Sequence, residues 1–315
     1  MKAKAISALT MTQAVTDYQT EERLIAVLEV ADASRKDKAD ACLMLARYGG
    51  EACVDVVAPL LRDEELSHMA RYALEPNPSP AVDPALREAL KDVDGKLLVG
   101  IIQSIGKRRD GNAVPHLKDY LSDENDPVSM AAARALGRMG TVATAEALME
   151  GFESANGSPA RSSAIADALL DCAENLKKSG FAHEALEIYD YLRSCSLDSG
   201  MPLQTAALRG AVHLRGRKGV SILLDLVEHG DVDETRIAMG IAQEMEGGYV
   251  GRALAERVAR VPHEKQVLII QTLGVRGDQD ALPVLTQLAH HENAQVSEAA
   301  RKAIAEISDL QLQVH

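Results

Sequence analysis

Tryptophan is absent from this chain of 315 residues, and it holds only two phenylalanines and seven tyrosines. A core without large rings must be assembled from Leu, Ala, Ile, Val and Met, side chains that suit close helix-on-helix packing. Positive charge is in deficit as well: 34 Lys and Arg face 47 Asp and Glu, a net charge of −13. An acidic surface repels the phosphate backbone, so nucleic acid is not an expected partner. Two local basic clusters stand against that trend, Lys107-Arg108-Arg109 and Arg215-Gly216-Arg217-Lys218. Short charge runs in turns are ordinarily solvated.

Long apolar runs are missing too. No stretch reaches the length that a bilayer requires, and the basic start Met1-Lys2-Ala3-Lys4 is followed by no sustained apolar region. The expectation is a cytoplasmic protein with no membrane partner; an exported mature form would read the same way. Cysteines number four, at 42, 53, 172 and 195, with no CxxC spacing. They read as small buried hydrophobes. Cys42 and Cys53 fall on adjacent helices across a turn, where a disulfide would need close backbone approach.

Motifs that carry chemistry are missing in the same way. Neither GxGxxG nor GxxxxGK[ST] occurs. His183-Glu184 lacks the second histidine of an HExxH zinc site, and the adjacent His290 and His291 would point apart at a helix end. No nucleophile sits at a strand-turn-helix elbow. The acids of Asp63-Glu64-Glu65 and Asp123-Glu124 stand at helix starts, where they stabilise exposed N–H groups. The chain is therefore expected to be no enzyme and to carry no cofactor and no metal.

What the chain does contain is a repeat. Ser104-Ile105-Gly106 leads to Val114-Pro115-His116-Leu117, and Ala135-Leu136-Gly137 to Ala145-Glu146-Ala147-Leu148. Val212-His213-Leu214-Arg215 leads to Leu223-Leu224-Asp225-Leu226, and Thr272-Leu273-Gly274 to Leu282-Pro283-Val284-Leu285. With Gly106 as the marker, equivalent positions are Ala46, Glu75, Gly106, Gly137, Lys178, Arg215, Glu246 and Gly274, spaced by 29, 31, 31, 41, 37, 31 and 28. A period near thirty with short breaks holds two helices and leaves no length for βαβ crossovers.

Punctuation agrees: Asp83-Pro84 and Asp126-Pro127 read as helix starts, and Gly49-Gly50, Gly140, Gly180, Gly230 and Gly247-Gly248 as helix ends. Such pairs bury their apolar faces only by stacking. The fold expected is all-α, a right-handed α-solenoid of about eight two-helix repeats. Residues 1–20 are expected to form a capping helix around Ala5 to Tyr18, 21–308 the array and 309–315 a tail. Pro76-Asn77-Pro78-Ser79-Pro80 reads as a stiff link. Longer helices are expected over 158–200, within one continuous array.

These residues resemble the HEAT repeat. The resemblance rests on the Leu-Gly turns at Leu136-Gly137-Arg138-Met139-Gly140 and Leu273-Gly274-Val275-Arg276-Gly277-Asp278, and on Pro59, Pro115 and Pro283 in the first helix of a repeat. Nearly the whole chain is covered, least clearly from 150 to 212, and the pattern looks like bacterial HEAT arrays that sit beside catalytic or haem domains. One HEAT-like family excises damaged bases from DNA and another attaches bilins. The first relies on a basic, aromatic-lined face that this acidic chain does not supply, and no motif here would carry the second. What the resemblance implies is a scaffold binding a protein or peptide partner, or else an accessory module of an enzyme or exported complex. A nucleic-acid-binding solenoid is the third reading.

The resemblance places the second helix of each repeat on the concave surface. Three positions before each marker stand Leu43, Tyr72, Gln103, Arg134, Asn175, Val212, Gln243 and Gln271. The neighbouring Leu74, Ile105, Leu136, Leu214 and Leu273, with Ala70, Ile101, Ala132, Ile241 and Ile269, are apolar and expected in the core. Tyr72, Gln103, Arg134, Asn175, Gln243 and Gln271 are the candidate partner-binding residues, because amides both donate to and accept from an extended backbone. The alternative, that any amphipathic helix leaves such a polar row facing solvent, is the commoner origin of the pattern.

Overall fold

A computed structural model describes residues 20–155, 158–195 and 201–313. The capping helix expected around Ala5 to Tyr18 lies outside the described residues. Residues 20–29 are helical (α1). Then follow α2 Arg35–Tyr48, α3 Val54–Val57, α4 Ser67–Leu74, α5 Val82–Ala89, α6 Gly95–Arg108, α7 Val114–Asp119, α8 Asp126–Met139, α9 Val142–Ser154 and α10 Pro159–Lys178. The series continues with α11 Ala182–Ser194, α12 Met201–Arg215, α13 Val220–His229, α14 Val232–Glu244, α15 Gly248–Ala255, α16 His263–Arg276, α17 Leu282–Leu288 and α18 Ala294–Gln313. No strand occurs among the described residues. The fold is all-α, built of about eight helix pairs. The last helix runs through Gln313, past the 308 at which the sequence reading ends the array.

By packing, the chain divides into two compact units between Ile188 and Tyr189, inside α11, where the sequence reading has one array. In the first unit α2, α4, α6, α8 and α10 lie side by side in chain order. The shorter odd-numbered helices form the second layer, α3 against α5 and α7 against α9. The second unit repeats the plan with α12, α14, α16 and α18 in one layer, and α13 beside α15 in the other. Each unit is thus a stack of helix pairs, the α-solenoid arrangement.

The layers follow from the sequence pattern. Leu74, Ile105, Leu136 and Leu273, with Ala70, Ile101, Ala132, Ile241 and Ile269, are all fully buried between the layers, and Leu214 is half-buried. Pro59, Pro115 and Pro283 each fall in the first turn of an odd-layer helical segment, where no backbone donor is lost. Asp83 and Asp126 are not caps: α5 begins two residues and α8 one residue earlier than the motif suggests, behind Ala81 and Asn125. Asp83 instead bonds Arg108. Helices α8 and α16 close on left-handed Gly140 and Gly277, whereas α2 and α13 end on Gly49 and Gly230 in extended geometry.

Cys42 and Cys53 stay free thiols, as does Cys172. Cys53 donates to the Gly50 carbonyl at 3.3 Å. Burial pushes the Cys42 thiol up to about 11 and Cys172 to about 11. Burial, aided by the Glu21 carboxylate, takes Cys53 to about 12. At neutral pH all three are protonated and poor nucleophiles.

Candidate partner-binding face

The marker glycines explain how the long helices sit. A methyl on Gly106 would fall 2.7 Å from the Ala135 Cα, one on Gly137 2.6 Å from the Ala168 carbonyl oxygen, and one on Gly274 2.9 Å from the Ala303 Cα. Each glycine lets one even-layer helix touch the backbone of the next. With the glycine pressed on its neighbour and the leucine before it in the core, the residue three positions earlier is turned to the free side of that layer.

Tyr72, Gln103 and Arg134 lie there in the first unit, on α4, α6 and α8. All three are exposed, Tyr72 by 53%, and their side chains make no hydrogen bond among the described residues. Leu43 on α2 is 47% exposed on the same layer, so the row is apolar at one end and polar at the other. Across from Arg134, partial desolvation and then the Asp171 carboxylate hold Asp167 above the usual carboxylate range, with Arg134 pulling it down.

The remaining candidates divide. Asn175 is half-buried; its amide donates to the Gly137 carbonyl at 3.1 Å and its Cβ packs on Gly140, so it fastens the end of α8. Gln243 is exposed but spans to Thr272 on α16 at 3.4 Å. Gln271 is exposed and lines a groove. Val212 faces the core, fully buried.

The missed residue at that repeat is Arg209. Counting back six residues from the left-handed terminus reaches Gln103 from Arg109, Arg134 from Gly140 and Gln271 from Gly277. From the left-handed Gly216 the same count lands at 210, beside exposed Arg209. Moving the marker from Arg215 to Val212 also evens the spacings of 37 and 31 to 34 and 34. Arg209 donates to both Glu244 carboxylate oxygens at 3.1 and 3.0 Å, and His213 meets the same group at 3.0 Å. Partial desolvation opposes ionisation of Glu244, but these bonds outweigh it and hold its carboxyl below the ordinary value.

The two basic clusters are largely spent inside the chain. Arg108 bonds Asp83 and the carbonyls of Leu74, Glu75 and Asn77, tying down the proline-rich link. Lys107 bonds Glu75 at 2.8 Å. Arg215 pairs with Asp190, and Arg217 lies over the Tyr249 ring, 5.5 Å from its centroid.

The histidines behave as loop residues: His290 Nδ1 reaches the Thr286 carbonyl at 3.1 Å, while His291 Nδ1 accepts from the Asn293 N–H at 3.0 Å. No group of three metal-ligating side chains gathers among the described residues.

The groove at Gln271 has a volume of about 530 Å³ and lies between α14, α16 and α18. Val232, Val267, Leu268 and Ala299 form its apolar lining, and Arg236, Glu264, Gln271, Gln295, Glu298 and Lys302 its polar lining. A larger groove of about 630 Å³ between α1 and α2 contains none of the six candidates. No helix among the described residues is long and apolar enough to cross a membrane.

Paired helices, marker glycines against the next helix and prolines in the first helix now stand together, and residues 82–169 match a family model described as HEAT repeats. Over residues 82–169 the repeats are HEAT repeats. Among solved structures, its repeats are similar to an engineered protein at 19% identity, covering 94% of this chain and 90% of that one with a TM-score of 0.42. They are similar also to human deoxyhypusine hydroxylase in complex with glycerol, at 20% identity, 84% and 98% coverage and a TM-score of 0.38. A third is the CpcE–CpcF complex of phycocyanin lyase from Nostoc sp. PCC7120, at 18% identity, 92% and 94% coverage and a TM-score of 0.31. No curated protein matches the chain in sequence.

Proposed function

We propose that this HEAT-repeat chain is a non-catalytic interaction scaffold that holds a segment of a partner protein on the free face of its even-layer helices. The observation that carries this reading is the groove between α14, α16 and α18. It combines an apolar floor at Val267, Leu268 and Ala299 with the exposed amides of Gln271 and Gln295. A few placed polar groups around apolar surface are what specific recognition needs. Tyr72, Gln103 and Arg134, exposed and with no side-chain hydrogen bond among the described residues, offer further contacts on the first unit. The engagement of Arg108, Arg215 and Arg217 within the chain weighs against the nucleic-acid reading.

The test compares proteins retained from the source cell by the wild-type chain and by Leu268→Asp, with circular dichroism and melting followed in parallel. A partner held by the wild type and lost from an equally folded variant supports the proposal. Equal retention overturns it.

A further inference from the structure

The groove carries more information than its shape. On α16 its residues are Glu264, Val267, Leu268 and Gln271, and on α18 they are Gln295, Glu298, Ala299 and Lys302. Both sets follow the i, i+3, i+4, i+7 pattern of one helix face, so the groove runs along two parallel walls for about two turns, roughly 10 Å. Val275, 59% exposed, lies one turn beyond Gln271 and continues the apolar stripe. A channel between two helices, floored by apolar side chains, has the shape that a third helix fills.

Its lining holds two cations and two carboxylates, but both cations are paired with acids outside it. Arg236 is paired with Asp233 on its own helix, and Lys302 with Glu306 at 3.7 Å. Glu264 and Glu298 are exposed and have no ion-pair partner among the described residues. Glu264 stands in the first turn of α16, where the helix N-terminus accounts for an acid; Glu298 is the fifth residue of α18, beyond that need. Two unpartnered carboxylates therefore flank the apolar floor, within a chain of net charge −13.

Resting on the reading of this groove as the partner site, we infer that its occupant is a basic amphipathic helix of the partner protein. Leucine-like side chains would lie on Val267, Leu268 and Ala299, lysines or arginines would meet Glu264 and Glu298, and Gln271 and Gln295 would bond polar groups along its edge. Charge opposition at the rim sets which partners dock more than how tightly they are held.

The full chain is titrated, by fluorescence anisotropy, with short labelled helical peptides that share one leucine pattern and carry either lysine or glutamate on the flanks. The lysine peptide is expected to bind about tenfold tighter. That preference should reverse in the double variant Glu264→Lys/Glu298→Lys. It should persist in Glu124→Lys/Glu146→Lys, which makes the same charge change at exposed sites in the first unit.

Equal binding of the two peptides overturns the inference. So does a lysine preference that survives reversal at 264 and 298, since the attraction then belongs to the whole acidic surface. In either case weakened binding of both peptides by Leu268→Asp leaves the groove standing as the partner site. If Leu268→Asp changes nothing, the groove reading falls with the inference.

Discussion

Gly137 has no room for a side chain, because the Ala168 carbonyl occupies the place where a Cβ would go. Gly137→Val is expected to force α8 and α10 apart and to cost about 2–3 kcal/mol, read as a lower denaturant midpoint. Lys265 shows the opposite economy, a buried cation whose ammonium donates to the carbonyls of Val227 at 2.9 Å and Gly230 at 2.6 Å. Lys265→Met would fill the space but leave the end of α13 unsatisfied, with an expected loss of about 1–3 kcal/mol in urea unfolding. The thiols add a pH dependence. Cys42, Cys53 and Cys172 ionise near 11, 12 and 11 in the folded chain against 9.0 when unfolded. Above pH 9 the unfolded chain loses these protons first, so their contribution is intact below 9 and is lost as pH climbs towards 11. Replacing Cys172 by Ala should flatten part of the fall in stability measured between those values.

Among the elements, helix ends decide much of the stability. Arg276, with only 7% of its side chain exposed, bonds Asp278 and the carbonyls of Ala242, Met245 and Gly247, closing the end of α14 from the following repeat. Arg108 does the same for α4 and the link after it. Both stand two residues past a marker glycine, so in these two repeats the same position stitches the pair to the one before. Arg276→Met would strand the equally buried Asp278; a loss of about 3 kcal/mol or more is expected in chemical denaturation. At the start of α14, Asp231 and Glu234 form a reciprocal capping box. Asp231→Ala should cost about 1 kcal/mol by the same measurement.

At the scale of the whole molecule, stability in a stacked array is a sum over neighbours and not the property of one enclosed core. Each of the two compact units has its own buried leucines, Leu136 in the first and Leu273 in the second. Leu136→Ala should therefore lower amide-exchange protection more in the first unit than in the second, and Leu273→Ala the reverse. A single uniform loss of protection for both variants would contradict this. The net charge of −13 acts at this scale too: it attracts cationic groups and repels polyanions at long range, and raising the salt concentration should weaken both effects.

How much of this was legible beforehand depends on range. Helix pairs, their period and their buried faces follow from local pattern, since Ile101, Ile102 and Ile105, like Ile269, Ile270 and Leu273, recur at helical spacing and stacking is the one way to hide them. The polar row followed from the same phase where the marker spacing is an even 31, as at Tyr72, Gln103 and Arg134. It slipped at Val212, where the irregular middle of the chain displaced the marker and left Arg209 as the exposed residue. The sequence by itself determined the secondary structure, the all-helical fold and the sign of the surface charge, because these depend on neighbours in the chain and on composition. Only the tertiary structure decided that Asn175 fastens a helix end, that Arg108 is a clamp and not an anion site, and that Gln271 shares a groove with Glu298. Those facts join residues some thirty positions apart, and their distances are set by how one helix pair packs on the next.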